Sequence, residues 1–73
     1  MGEWKRLWVD GELQCAEGRP YVFAIQLMGG LWDYFVDAVV WDSENPAEWR
    51  NAESGWNLED VTHFAELKEP SDG

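Results

Sequence analysis

His63 is the only histidine in the chain and Cys15 the only cysteine. A structural zinc site takes about four nitrogen or sulfur ligands, so one chain cannot build it from this pair. His63 stands beside Thr62 and reads as a hydrogen-bonded structural residue, because a general base needs a second group to orient it. Ser43, Ser54 and Ser71 have no histidine near them in the chain, and no Gly-x-Ser-x-Gly elbow is present. Gly29-Gly30 lacks the further glycine and the lysine of a phosphate-binding loop. Carboxylates are plentiful instead. Asp33/Asp37, Asp42/Glu44 and Glu59/Asp60 have the hard oxygen ligands a divalent cation takes, but none sits in an Asp-x-Asp-x-Asp-Gly frame. Each pair reads as a solvated face. The expectation is a non-enzyme with no catalytic residues, no metal and no cofactor.

Fifteen acids against five bases give a net charge of −10. Residues 1–28 are nearly balanced, with Glu3, Asp10, Glu12 and Glu17 against Lys5, Arg6 and Arg19. Residues 29–73 hold eleven acids against Arg50 and Lys68. Such a surface disfavours direct contact with nucleic acid, whose phosphates require Lys and Arg, and with anionic membranes. Its natural complement is a basic protein surface. A lone cysteine excludes an intramolecular disulfide and fits a reducing compartment. The opening MGEWKRLWVDGE has no apolar core of a signal peptide. No apolar run approaches the ~20 residues that span a bilayer. A cytoplasmic protein is expected.

The elements that position these groups are organised around Gly29–Trp41. Trp32, Tyr34, Val36, Ala38 and Val40 alternate there with Leu31, Asp33, Phe35, Asp37, Val39 and Trp41. A period of two, rich in aromatic and β-branched residues, predicts a half-buried strand, with the Trp32–Val40 row facing inward. A helix would instead set Asp33 and Asp37 at i and i+4, where like charges repel. A strand this long calls for a bulge or bend near Asp37-Ala38. Tyr21–Met28 is apolar nearly throughout and predicts a strand covered on both faces. Gly29-Gly30 reverses it into the next strand. Upstream, Glu3–Val9 alternates loosely, and Asp10-Gly11 supplies the positive φ angles of a type I′ hairpin into Glu12–Ala16. Glu17-Gly18-Arg19-Pro20 is a further turn.

Asn45-Pro46-Ala47-Glu48 carries a helix start: a cap, a proline at the first helical position and a capping-box glutamate. Gly55 lies where a left-handed residue would end that helix. Over 58–68 both periods fit. Val61, His63, Ala65 and Leu67 alternate as in a strand, while Leu58, Val61, Phe64, Ala65 and Lys68 share a helical face capped by Asn57. The predicted fold is α+β, mainly antiparallel sheet of about four to five strands with one short helix near 46–53. One compact domain spans 1–68, and 69–73 is a flexible tail. Six Trp, three Phe and two Tyr exceed what so small a core requires. Trp8, Trp32 and Trp41 are expected inside, whereas Trp49 and Trp56 stand among polar residues and are candidates for a partner surface.

The ending gives a resemblance. Gly55-Trp56, Val61-Thr62-His63-Phe64, Leu67 and Glu69-Pro70 resemble the close of a small phage and prophage family of unknown function, which commonly ends Val-Thr-His-Trp-Met-Pro-Leu-Pro-Glu-Pro-Pro. Trp4, the Gly18-Arg19-Pro20 turn and Tyr21–Ile25 follow the order of that family's beginning. Phe64 replaces its usual Trp, and Ala65, Glu66 and Lys68 replace Met and two prolines. The resemblance implies a mobile-element origin and a bacterial host cytoplasm, and no activity. With that origin, the charge suggests an inhibitor of a host nucleic-acid-binding defence protein, an anti-CRISPR or anti-restriction protein that mimics DNA. Duplex DNA carries one charge per about 1.7 Å of axis. Acids two or four apart on a strand lie about 7–13 Å apart. Asp33, Asp37, Asp42, Glu44, Glu48 and Glu53 are the candidate phosphate mimics, with Trp49 and Trp56 as anchors. The alternative is a homodimeric interaction or assembly module that pairs exposed Trp residues, with acidity serving only solubility.

Overall fold

A computed structural model describes residues 3–67. Residue 68 and the tail 69–73 lie outside the described residues. Among the described residues the chain forms β1 (Lys5–Arg6), β2 (Trp8–Val9), β3 (Glu12–Leu13), β4 (Tyr21–Gln26), β5 (Trp32–Asp37), β6 (Val39–Asp42), β7 (Glu48–Asn51) and β8 (Val61–Glu66). Single 3-10 turns lie at Met28–Gly30 and Leu58–Asp60, with no α-helix among the described residues. The fold is mainly β, with more and shorter strands than the sequence reading expected.

The apolar run at Tyr21 becomes the inner strand β4 of a four-stranded antiparallel sheet ordered β1-β8-β4-β5. Covered on both edges and on one face, β4 can be apolar almost throughout. It enters β5 through Gly29 and Gly30, whose φ angles of 82° and 81° suit glycine and few other residues. Leu27 N–H donates to the Leu31 carbonyl across that reversal. The resulting register runs from Gln26↔Trp32 to Tyr21↔Asp37. Two small hairpins complete the architecture. β2 and β3 turn at Asp10 (φ 51°) and Gly11 (φ 78°), the type I′ geometry that Asp-Gly supplies. The strand expected over Glu3–Val9 is divided at Leu7, which is wholly buried. Its N–H donates to the Thr62 carbonyl at 3.0 Å, and its own carbonyl accepts from Gln14 N–H at 2.8 Å. One residue thus joins the sheet to the first hairpin.

The organising strand breaks at Ala38, where the bend was expected, and continues as β6 in a separate hairpin with β7. The helix predicted for 46–53 is overturned here. Glu48–Asn51 is β7, paired from Asp42↔Glu48 to Val39↔Asn51. Trp49 meets Trp41 with ring centroids 5.1 Å apart, and Arg50 Nε donates to Asp42 at 3.0 Å. Two turns of isolated helix repay their nucleation poorly, and the cross-strand partners outweigh the cap signals. Asn45 and Pro46 lie in the loop between the two strands. Of the two periods open over 58–68, the strand forms, as β8 at Val61–Glu66. Asn57 does cap, but it caps a 3-10 turn, accepting from Glu59 N–H at 2.8 Å.

The core lies on the face of the sheet that carries Tyr21, Phe23 and Phe64, closed by Leu7, Val39, Leu58 and Val61. Phe23 opposes Phe35 on one side and Phe64 on the other. That parity inverts the expected facing of β5. Trp32, Tyr34 and Val36 are 43%, 56% and 55% exposed, whereas Phe35 is half-buried and Val39 fully buried. Large apolar residues occupy both alternating sets, so the pattern alone does not choose between them. The Phe23–Phe64 face of the neighbouring strands makes the choice, and one step of parity turns every side chain over. Trp8 is half-buried with its indole N–H donating to the Leu58 carbonyl at 3.0 Å. Trp32 and Trp41, expected inside, are exposed.

Candidate functional site

The outward face of the sheet gathers four aromatic rings over a small residue. Trp4 just ahead of β1, Trp32 and Tyr34 on β5, and His63 on β8 surround Ala24 of β4 and enclose a hollow of about 270 Å³. Ala24 opposes Tyr34 on one side and His63 on the other. Its single methyl leaves room for the rings to close over it, and it is itself buried. Trp4 and Tyr34 lie 5.6 Å apart with planes tilted by 31°. Trp32 and His63 lie 5.7 Å apart at 75°. Such separations are those of attractive aromatic pairs, so the rings support one another without core burial.

His63 is held by a bulge. Between Ala24 and Ile25 the partner of β4 jumps from His63 to Val61, leaving Thr62 unopposed. Thr62 Oγ1 donates to the Ala24 carbonyl at 3.2 Å, and His63 Nδ1 lies 2.8 Å from the same hydroxyl. A bulge re-aims side chains in this way. The pairing of His63 with Thr62 agrees with a structural histidine. The hollow brings to His63 rings and a methyl group, and among the described residues no carboxylate lines it.

The carboxylates singled out as a phosphate row have other surroundings. Asp33 is exposed on β5 and accepts from Tyr34 N–H at 3.0 Å. Asp37 is 5% exposed. Its carboxylate accepts from the N–H groups of Ala38 (2.7 Å), Glu53 (3.0 Å) and Ser54 (3.3 Å) and from Ser54 Oγ (3.2 Å). Burial pushes this carboxyl up, but the donors of Glu53, Ala38 and Ser54 together hold it below its ordinary value. Asp42 and Glu48 flank Arg50, which also donates from Nη1 to the Gly55 carbonyl at 3.0 Å. Glu48 further accepts from Asn57 Nδ2. Glu44 is exposed in the loop between β6 and β7, and Glu53 is exposed after β7. Of the two anchors, Trp49 is half-buried against the core and Trp41. Trp56 is exposed, with its ring 5.4 Å from Phe35. The fold therefore draws Asp42 and Glu48 onto one arginine, sets Asp37 inside, and leaves Asp33, Glu44 and Glu53 exposed.

The aromatic hollow was not found by sequence reasoning. Its signal was present in the Trp32–Tyr34–Val36 alternation, but that row was turned inward. Trp4 and His63 join it only through the strand order.

Cys15 is half-buried against the core. Burial pushes its thiol up to about 11, against a smaller lowering by a backbone hydrogen bond. The thiolate is the reactive form, so at neutral pH alkylation of the folded protein should run on the order of a hundredfold slower than for an unperturbed thiol of pKa about 8.5. Iodoacetamide kinetics followed by mass spectrometry check this, and a rate equal to that of the urea-unfolded chain would show Cys15 to be accessible and ordinary.

Among the described residues no group of three or more His, Cys, Asp or Glu converges as a metal site. No described helix is long and apolar enough to cross a membrane. No protein-family model matches the chain, and no curated protein or solved structure does so.

Proposed function

We propose that this chain is a non-enzymatic binding protein that engages a basic protein partner through the aromatic face of its four-stranded sheet. The observation that carries the reading is the outward row of Trp32, Tyr34 and Val36 beside Trp4, on a chain of net charge −10. Exposed aromatic clusters are the usual anchors of protein interfaces, and a strongly acidic chain favours a partner of opposite sign. The proposal retains the class read from the sequence, a small acidic inhibitor of phage type in a bacterial cytoplasm, aimed at a nucleic-acid-binding defence protein. It changes the contact. Asp37 is spent on the fold and Asp42 and Glu48 on Arg50, so the anchors are aromatic.

The test is capture from bacterial lysate with wild-type protein and with Trp32→Ser/Tyr34→Ser, followed by affinity measurement on the captured protein. The double variant should weaken binding by roughly a hundredfold, the scale of losing interface hot spots. It should lower stability by about 1–2 kcal/mol, the two exposed positions together. Equal capture by both proteins would defeat the proposal. The second reading, a homodimer, draws on β5 being an edge of the sheet. Sedimentation at low salt distinguishes the two: a monomer is expected, since two copies bring like charges together.

A further inference from the structure

The proposed contact surface has a shape that names the chemistry of its ligand. Resting on the reading above, we infer that the hollow among Trp4, Trp32, Tyr34 and His63 receives an arginine side chain of the basic partner. The hollow, of about 270 Å³, matches one side chain better than a whole small molecule. Its walls are π-systems, whose faces attract cations. Among the described residues no carboxylate lines it. A lysine ammonium would surrender strongly held water there and gain no anionic acceptor. A guanidinium is planar, more weakly hydrated and stacks on aromatic rings, so it loses less and gains more.

Charge complementarity points the same way. The complementarity is that of the whole chain, whose net charge is −10. Asp33 alternates with Trp32 and Tyr34 and opposes Ile25, so it belongs to the other face of β5, with Phe35. One group on this face opposes the ligand. Arg6 pairs with His63 in register. Its removal should therefore tighten binding, whereas removal of Asp33, on the other face of β5, should change it little. That difference between Arg6 and Asp33 separates a defined cation seat from a generally sticky aromatic patch.

The experiment is a low-salt NMR titration of the full chain, reading indole and backbone N–H resonances, with N-acetyl-arginine amide as the probe. N-acetyl-citrulline amide has the same shape without the charge, and N-acetyl-lysine amide has the charge without the plane. The arginine probe should give saturable shifts at Trp4, Trp32 and Tyr34. Citrulline should bind about twofold to fivefold more weakly, the loss of one exposed cation–π attraction. The lysine probe should also bind more weakly than arginine. Tyr34→Leu, which keeps an apolar side chain and removes the ring, and Trp32→Ala should each abolish saturation. Arg6→Gln should tighten binding about twofold to threefold, as expected for one screened surface charge. Equal binding of citrulline and arginine would overturn the inference, as would arginine shifts that persist unsaturated in both ring variants. The two proposals fail separately. If the arginine probe does not bind but lysate capture still depends on Trp32 and Tyr34, the seat is wrong and the interface stands. If the probe binds and no partner is captured, the seat stands and the proposed function falls.

Discussion

Phe23→Ala is expected to remove about half of the folding stability of this chain. Phe23 is wholly buried at the middle of β4, one of the two strands of the sheet with a neighbour on each side. Its ring lies 5.7 Å from Phe35 and 6.1 Å from Tyr21, and Phe64 opposes it across the other ladder. Truncation opens a hole that stiff, ladder-bound backbone on both sides cannot close. The cost for a buried Phe is about 3–5 kcal/mol. At about 0.05–0.15 kcal/mol per residue, a chain of this length is stabilised by only about 4–11 kcal/mol in all. Urea unfolding followed by Trp fluorescence should show the midpoint falling by half or more with little change in slope. Phe23→Leu keeps most of the volume and should cost less than about 1.5 kcal/mol. Trp32→Ala, on the opposite face of the same sheet, should cost about 1 kcal/mol. If Phe23→Ala lost less than Trp32→Ala, the assignment of inner and outer faces would be reversed, and the aromatic interface with it.

Asp37→Ala should be nearly as damaging, for an electrostatic reason. One buried carboxylate accepts from three backbone N–H groups on two segments and from the Ser54 hydroxyl. It ties the break between β5 and β6 to the turn after β7. Removing it leaves those donors without their acceptor, at a cost of about 2–4 kcal/mol. At roughly 4–8 °C per kcal/mol, that is a fall in Tm of about 8–30 °C. Asp37→Asn keeps one acceptor oxygen and loses the charge, so about 1–2 kcal/mol is expected. The pH dependence identifies the cause. The carboxyl of folded Asp37 lies below its ordinary value, since its donors outweigh the burial that raises it. Its contribution is therefore complete above the unfolded value of about 3.9 and is lost as pH falls through the lower folded value. The stability gap between wild type and Asp37→Asn should shrink steadily in that acid range. A gap unchanged from neutral pH into strong acid would mean that the charge has no part in it.

The same carboxylate shows why acidity is a poor guide to a binding surface. Asp33 and Asp37 are two turns of one strand pattern, and composition treats them alike. Asp33 meets solvent, whereas Asp37 is enclosed by a segment that arrives from sixteen residues further along the chain. Arg50 similarly absorbs Asp42 and Glu48, which lie on either side of a hairpin. Charge counting could name a basic partner, but the contact residues depend on which carboxylates the fold has already used.

What was legible in the sequence was decided by neighbouring backbone. Asp10-Gly11 and Gly29-Gly30 reverse the chain because their residues take positive φ at little cost. The bend at Asp37-Ala38 and the strand character of Tyr21–Gln26 follow equally local rules. Local rules misled at 46–53, where sound cap signals met a cross-strand partner in Trp41 and an ion-pair partner in Asp42. They were silent on which row of β5 faces the core, because both rows carry aromatics and the choice belongs to Phe23 and Phe64. The hollow required more again: Trp4, Tyr34 and His63 are far apart in the chain and meet only through the order β1-β8-β4-β5. Turns and strand propensity arise from torsions within a few residues, so sequence alone determines them. Facing and assembly are set by competition among distant apolar surfaces for one small core, and only the tertiary structure decides that.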